Sequence, residues 1–308
     1  MKLSIVVPCY NEEKVIDETI SVLLNVTKEL KTKNIVDYEI IFVDDGSADN
    51  TFHILEKHSN LHKEIKIIKL SNNFGHQKAI LAGYENSTGD VITTLDADLQ
   101  DPPELIGQMV EKIINGFDIV YGARSKRVDS FFKRYSARFF YWIMKSMGVN
   151  IIPEHAEYRM ITKKVLSAFL KYNEQNLFIR AIFPKLGFPS TIIHYDRPKR
   201  FAGETKYPLG KMISFGIDGI ISFSVIPLRL FTFIGIVISI FSLLAIFWSM
   251  FAKFFGATVT GWTSIVIPIY FLGGIQMIFL GILGEYVGKI YIEVKGQPRF
   301  IIEKKINL

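Results

Sequence analysis

Three acids stand within six residues at Asp96, Asp98 and Asp101, in the stretch TTLDADLQDPPE that runs from position 93 to 104. The residues just before them, VITTL at 91–95, are apolar and β-branched, so the acids follow a buried strand. Side chains two apart in extended chain point the same way. Asp96 and Asp98 can therefore present oxygens to one hard cation, and that cation can bridge a phosphorylated ligand. Asp101 reads differently. Pro102, Pro103 and Glu104 follow it, which is the pattern of an N-cap ahead of a proline-started helix with an acid three residues on.

The elements that must position these acids are legible from hydrophobic pattern. Residues 3–8 (LSIVVP), 38–43 (YEIIFV), 64–70 and 91–95 read as strands, with a fifth at 118–121. Helical spacing covers 11–30 and 75–86, and a further helix begins at Asp49. Strands alternating with helices imply an α/β domain with a largely parallel sheet covered on both faces. Ligands in such sheets sit outside the carboxyl ends of the strands. The polar clusters fall there: Tyr10-Asn11-Glu12, Asp44-Asp45-Gly46-Ser47, Asn72-Asn73-Phe74-Gly75 and Asp96 to Gln100. No G-x-G-x-x-G follows the first strand and no G-x-x-x-x-G-K-[ST] occurs anywhere, so glycine-rich phosphate cradles are excluded. Carboxylates and a cation take their place. Asp45 and Glu12 can accept hydrogen bonds from a base and ribose, while a metal at Asp96 and Asp98 neutralises a diphosphate.

At 308 residues the chain has room for one good-sized domain and an appendage. Positions 230–252 and 261–284 carry no charge, and Lys253 is the only charged residue between them. Each run is long enough to cross a bilayer as a helix, so 229–288 is expected to form a transmembrane hairpin rather than a pair of buried helices in a soluble bundle. Arg229 precedes the first run, and Lys289, Lys295, Arg299, Lys304 and Lys305 follow the second. That bias expects a multi-pass cell-membrane protein with the amino-terminal domain (1–208), both termini and the tail (289–308) in the cytoplasm. Residues 209–228 are apolar apart from Lys211 and Asp218. An aspartate at mid-bilayer would cost about 2.5 to 3.5 kcal/mol, so this segment is expected to be an amphipathic helix lying in the interface. The first apolar stretch is short and runs straight into charged residues, which is not a cleavable signal. The single cysteine, Cys9, excludes an internal disulfide and a cysteine-built zinc site.

Basic residues concentrate elsewhere. Between 122 and 145, seven of them (Arg124, Lys126, Arg127, Lys133, Arg134, Arg138, Lys145) face one acid, Asp129, and this local +6 equals the formal excess of the whole chain. Aromatic residues interleave with them, and Arg134, Arg138 and Lys145 share a helical face, as suits a helix in the headgroup layer that guides an anionic lipid phosphate. Basic plus aromatic is also a nucleic-acid pattern. A stretch tethered to membrane spans meets lipid first, so no nucleic-acid partner is expected. In the loop PKRFAGETKY at 198–207, Arg200 and Lys206 are able to clamp a phosphate, or else the loop forms a basic juxtamembrane linker.

The series PCYNEE, VDDGSADNT, SNNFG and TLDADLQDPPE, followed by two apolar runs, resembles glycosyltransferase family 2, of GT-A fold, and within it the polyprenyl-phosphate sugar transferases. The resemblance covers nearly the whole chain. It implies inverting transfer of a single sugar, with UDP-glucose as the leading donor, to a membrane polyprenyl phosphate. Asp96 and Asp98 then resemble the family's D-x-D acids that hold Mg²⁺ or Mn²⁺, and Gln100 resembles a donor contact. Asp45 and Glu12 look like nucleoside contacts, with Pro8, Tyr10, Asn11, Asn73, Gly75 and Ala97 completing the donor pocket. Arg200, Gly203, Thr205, Lys206 and Tyr207 match the R-x-x-G-x-[ST]-K-Y loop. Arg124, Arg134, Arg138, Arg200, Thr205 and Lys206 are accordingly the candidates for the acceptor phosphate. AEYRM at 156–160 is similar to the D-[FY]-R motif, but Glu157 replaces its acid. Glu157 thus joins Asp96 and Asp98 as a catalytic candidate. The acceptor phosphate has a second pKa near 6 and needs little proton removal, so Glu157 is expected to orient Arg159 or a lysine rather than to serve as an indispensable base. A surface acid at a helix start is the plainer alternative.

Three rival readings carry less. A processive polysaccharide synthase is disfavoured because no Q-x-x-R-W segment is present and two spans are too few to line a polymer channel. A non-catalytic membrane scaffold binding a nucleotide sugar has no need of an intact acid pair, and a flippase leaves the large soluble domain unexplained. Two spans alone bury little surface, which makes a homo-oligomer the expectation.

Overall fold

KLSIVVPC shows no alternation of polar and apolar residues, as a strand covered on both faces requires. In the computed structural model it forms β1 (Lys2–Cys9), buried at all but its first residue. The structure describes residues 1–30, 35–124, 155–175, 178–196, 226–254 and 262–308. Around β1 the chain winds in βα steps. β2 (Asp37–Asp44) and β4 (Val91–Thr94) pair parallel to β1 on its two sides, and β3 (Ile65–Leu70) pairs parallel to β2. The connecting helices are α1 (Ile16–Leu30), α2 (Thr51–Leu61) and α3 (His76–Glu85), and α4 (Leu105–Ile114) follows β4. The helix expected over 11–30 starts only at Ile16, because the residues before it are engaged in a loop described below.

Beyond α4 the winding changes. β5 (Ile119–Arg124) does not pair with β4; β6 (His155–Thr162) lies antiparallel between them. After α5 (Lys163–Phe169) and α6 (Ile179–Lys185), β7 (Ser190–Tyr195) pairs parallel to β5. At the opposite edge β8 (Ile302–Ile306), in the segment read from sequence as a tail, pairs antiparallel to β3. The eight strands run β7-β5-β6-β4-β1-β2-β3-β8, a mixed sheet that is mostly parallel.

One face of the sheet packs on α1 and α4 through Ile16, Ile20, Leu23, Ile106 and Met109, all fully buried. On the other face α3 approaches β1 so closely that a Cβ on Gly83 would lie 2.2 Å from a Val6 methyl carbon. One carboxylate buried beneath this layer is fully paired. Glu39 accepts from Ser4 Oγ (2.6 Å), from Thr88 N and Oγ1 (2.7 Å each) and from Lys66 Nζ (2.7 Å). The carboxylate thereby ties β1, β2, β3 and the loop into β4 together. Burial alone would raise its pKa, yet Lys66, Ser4 and Thr88 hold it at about 2.

The described residues of 1–196 and 297–308 form one unit, and 226–254 with 262–296 belong to a second. In the second, α7 (Ile226–Phe254) and α8 (Trp262–Lys295) occupy the two apolar runs, and the Phe231 and Phe279 rings meet at 4.7 Å. Large apolar side chains such as Phe233, Trp248 and Met277 are more than half exposed. Among the described residues Phe271–Lys295 is long and apolar enough to cross a membrane, and Ile226–Phe241 is a shorter apolar stretch. The segment expected to lie in the interface, 209–228, falls outside the described residues except for its last three.

Candidate active site

The loops after β1, β2 and β3 are built into one another. Asn11 adopts a left-handed φ of 55°, its N–H donates to Ser47 Oγ (3.0 Å), and its Oδ1 accepts from Ala48 N–H (2.8 Å). Asp45 follows β2 and accepts from the N–H groups of Phe74 (2.7 Å) and Gly75 (2.9 Å), one on each carboxylate oxygen. Each oxygen keeps a second lone pair for a ligand, but the side chain is almost wholly enclosed. Asp45 therefore shapes the loop that carries Asn73. Gly46 has a φ of 71°, and a Cβ there would sit 2.5 Å from the Asn72 carbonyl carbon, so only glycine fits. Tyr10 and Asn73 are exposed on this rim, Glu12 and Gly75 are half-buried, and Pro8 is buried at the end of β1.

The loop after β4 is held from beneath. Thr19 Oγ1 donates to the Ala97 carbonyl at 2.6 Å, and Asp98 Oδ1 accepts from Gln100 N–H at 3.1 Å. Leu99 between them has a φ of 53°, a left-handed conformation that a branched apolar residue adopts only under constraint. Asp96 and Asp98 are each half-buried at this rim. His76 Nε2, at the start of α3, lies 3.5 Å from Asp96 Oδ1. The Asp96 pKa is pushed up to about 6: enclosure by protein is the main cause, His76 opposes it, and the acids Asp101, Asp98 and Glu157 add to it. A third of this side chain still reaches solvent.

Among the described residues no cluster of three or more His, Cys, Asp or Glu is placed to hold a metal. The donor set is thus two carboxylates, and at Asp96 the surroundings disfavour the negative charge. That fits a hard divalent cation which takes its other ligands from water and phosphate oxygens, as Mg²⁺ and Mn²⁺ do. Among the several buried polar groups with unpartnered atoms in the described residues, two bear on this pocket. They are the side-chain amide of Gln100 and Oδ2 of Asp44, at the carboxyl ends of β4 and β2. Unpaired groups so placed suit a polar ligand in the pocket.

Asp101 corrects the sequence reading. It does not cap α4, whose N-cap is Glu104, because its carboxylate is fully buried and engaged elsewhere. Oδ1 accepts from Arg124 Nη2 (3.1 Å) and makes a short hydrogen bond with Tyr195 Oη. Asp101 thus joins the loop after β4 to the ends of β5 and β7. Arg124, a candidate for the acceptor phosphate, already carries this partner.

Glu157 and Arg159 lie two apart on β6. Their backbone carbonyls accept from Thr94 Oγ1 (2.6 Å) and Thr93 Oγ1 (3.0 Å) of β4. The Glu157 carboxylate is buried and accepts from Arg159 Nη2 at short range, from Arg180 Nε at 2.6 Å and from Gln77 Nε2 at 3.1 Å. Burial would raise its pKa, but Arg159 and Arg180 outweigh burial and hold it at about 2. Arg159 is fully buried and stacks over Phe183 at 5.0 Å. Glu157 is therefore an interior charge partner rather than a surface helix-start acid.

Residues 4–187 match the family described as Glycosyl transferase family 2. The chain belongs to that family. This glycosyltransferase is 44% identical to YkoT of Bacillus subtilis over 98% of the chain and 91% of the relative. It is 35% identical to the bactoprenol glucosyl transferase of Shigella phage SfX over 99% of the chain and all of the relative. Glucosyl-3-phosphoglycerate synthase from Mycobacterium tuberculosis, solved with phosphoglyceric acid, superposes with a TM-score of 0.51 at 17% identity, covering 72% of this chain and 80% of that one. That likeness shows the GT-A fold.

In the glycosyltransferase the structure brings Asp96, Asp98, Gln100 and the Asp45 loop to one end of the sheet, and Glu157 is linked to the same end through Gln77, which follows His76. Arg134, Arg138, Arg200, Thr205 and Lys206 lie outside the described residues. Sequence reasoning missed His76, Gln77, Arg180 and Tyr195. His76 and Gln77 follow SNNFG directly, a position the motif itself could have flagged, whereas nothing local marks Arg180 or Tyr195.

Proposed function

We propose that this glycosyltransferase moves a single glucosyl residue from UDP-glucose to the phosphate of a membrane polyprenol, with inversion at the anomeric carbon. The observation that carries the chemistry is the acid pair Asp96 and Asp98 at the carboxyl edge of β4, beside the unpaired buried amide of Gln100. The lipid acceptor and the sugar are supported by the relative named bactoprenol glucosyl transferase, which matches over its whole length.

Asp96 and Asp98 would hold Mg²⁺ or Mn²⁺, which supplies charge neutralisation for the departing diphosphate. The chain's own residues orient the partners. Gln100 offers a donor and an acceptor to the bound nucleotide sugar, and the loop braced by Asp45 frames the nucleoside side. An oxygen of the acceptor phosphate attacks the anomeric carbon as the bond to the UDP oxygen breaks, so no proton must leave the acceptor at neutral pH. With Glu157 ionised and engaged by two arginines, the step rests on placement of the phosphate rather than on a general base. Arg134, Arg138, Arg200, Thr205 and Lys206 are the proposed acceptor-phosphate residues, with Arg124 at the edge of the described site. The helices α7 and α8 would cross the membrane as a hairpin with both ends in the cytoplasm, and copies would associate through them.

The test is to incubate membranes containing the full chain with undecaprenyl phosphate and a panel of labelled nucleotide sugars. Label from UDP-glucose in a mild-acid-labile lipid is the expected result. Label entering polymer, or no lipid label from any donor, overturns the reading.

A further inference from the structure

Arg180 lies on α6, with its side chain 40% exposed, and appears in none of the motifs that mark the nucleotide site. Its Nε is fixed on Oε1 of Glu157 at 2.6 Å. Oε1 also accepts from Gln77 Nε2, and Gln77 Oε1 accepts from the N–H of Ile179, the residue before Arg180. Both the side chain and its backbone are thereby tied to the start of α3. The preceding residue of α3, His76, reaches Asp96.

Among the described residues the three charged groups Glu157, Arg159 and Arg180 do not balance. Glu157 contributes one negative charge, and Arg159 and Arg180 contribute two positive ones. Arg159 is entirely enclosed, so the surplus reaches solvent only at Arg180. Arg159 together with Gln77 already gives the buried carboxylate a counter-ion and a hydrogen bond. A second arginine adds a partly exposed charge that Glu157 does not require for its pairing. What the arrangement produces is a guanidinium fixed through its Nε, with part of the side chain still open to solvent. A fork held in that way matches two oxygens of a phosphate.

We propose that Arg180 binds a substrate phosphate in this active site and that Glu157 is the positioning residue that aims it. The proposal rests on the glycosyl transfer reading, in which phosphates reach the site from two sources, the donor diphosphate and the lipid phosphate.

The test uses the full chain in detergent or nanodiscs and measures binding apart from turnover. Calorimetric titrations with UDP and with a short water-soluble isoprenyl phosphate are run on the wild type, Arg180→Ala, Arg180→Lys and Glu157→Gln. Arg180→Ala is expected to weaken one of the two probes about tenfold or more, which identifies the source, while the other changes less than about twofold. Arg180→Lys keeps the charge without the fork and should recover only part of the loss. Glu157→Gln should weaken the same probe, and the double variant should be no worse than Arg180→Ala, because both act on one contact. Unchanged affinity for both probes in Arg180→Ala overturns the proposal, as does an equal loss for both accompanied by a lowered unfolding temperature, the mark of a structural ion pair. Should the wild type bind the probes and lose affinity as described yet transfer no glucose to lipid, the functional reading fails and this one stands.

Discussion

Arg180 Nε donates to Oε1 of Glu157 at 2.6 Å, while Arg159, two residues along the same strand, takes the other carboxylate oxygen. An acid gripped on both oxygens by guanidinium groups, with a pKa of about 2, is a poor proton acceptor. Glu157→Gln is therefore expected to lose less than about a hundredfold in turnover at saturating substrates, since a true general base contributes about 10² to 10⁴. Its rate profile from pH 6 to 9 should keep the wild-type shape, because a group titrating near 2 is ionised throughout that range. Steady-state rates of Glu157→Gln and Glu157→Asp across the range decide it. A loss of several hundredfold with the acidic limb abolished and binding intact would make the carboxylate a base.

The acid pair after β4 sets a second expectation. Asp98→Asn removes a charged oxygen ligand, and turnover should fall by more than about a hundredfold. EDTA should abolish activity in the wild type, and added Mg²⁺ or Mn²⁺ should restore it. Full activity of either aspartate-to-asparagine variant, or of the wild type in EDTA, refutes metal dependence.

Glu39 governs acid stability. Its ordinary pKa is 4.5 and its folded value about 2, so the carboxylate contributes stability fully above about pH 4.5. That contribution is lost as pH falls from about 4.5 to about 2. Lys66→Met removes the ammonium 2.7 Å away and should move the acid-unfolding midpoint to higher pH. Glu39→Ala should cost about 3 kcal/mol at neutral pH, because it leaves Lys66, Ser4 and Thr88 without their shared partner. Unfolding curves of the detergent-solubilised chain between pH 3 and 7 measure both.

Asp101→Asn tests the brace at the other side of the loop. Removing its charge leaves Arg124 half-buried and unpaired, and the expected result is a lowered unfolding temperature. Asp101→Asn combined with Arg124→Met should recover part of that loss. A double variant no more stable than Asp101→Asn alone would show that the pair does not act as a unit.

The parts of this structure that were legible are those whose partners are near in sequence or absent. β1 announces itself because every side chain after Lys2 is buried and nearly all are apolar, and the loops after β1 to β4 carry their polar clusters where a parallel sheet must place them. β6 was not read as a strand. HAEYRMIT turns Glu157 and Arg159 inward, which is tolerable only because Arg180 and Gln77 arrive from distant segments. Asp101 was misread for the same reason. Its local context, D-P-P-E, is that of a cap, whereas Arg124 and Tyr195 become its neighbours only after β6 and β7 have joined the sheet. β8 escaped notice because IEKKI is an edge strand whose middle three residues, Glu303, Lys304 and Lys305, are exposed charges.

That last strand changes what the two long apolar helices are to the protein. Ile306 pairs with Ile67 and Lys304 with Lys69, while Arg299 bonds the Tyr172 carbonyl and Glu85. The polypeptide therefore leaves the enzyme domain, builds α7 and α8, and comes home to the same sheet. During synthesis the edge of β3 has to wait for a partner made more than two hundred residues later, until Ile302–Ile306 have left the ribosome. Cutting the finished protein once between the helices would leave both fragments fastened to the domain, one by its peptide link and the other by a ladder of backbone hydrogen bonds.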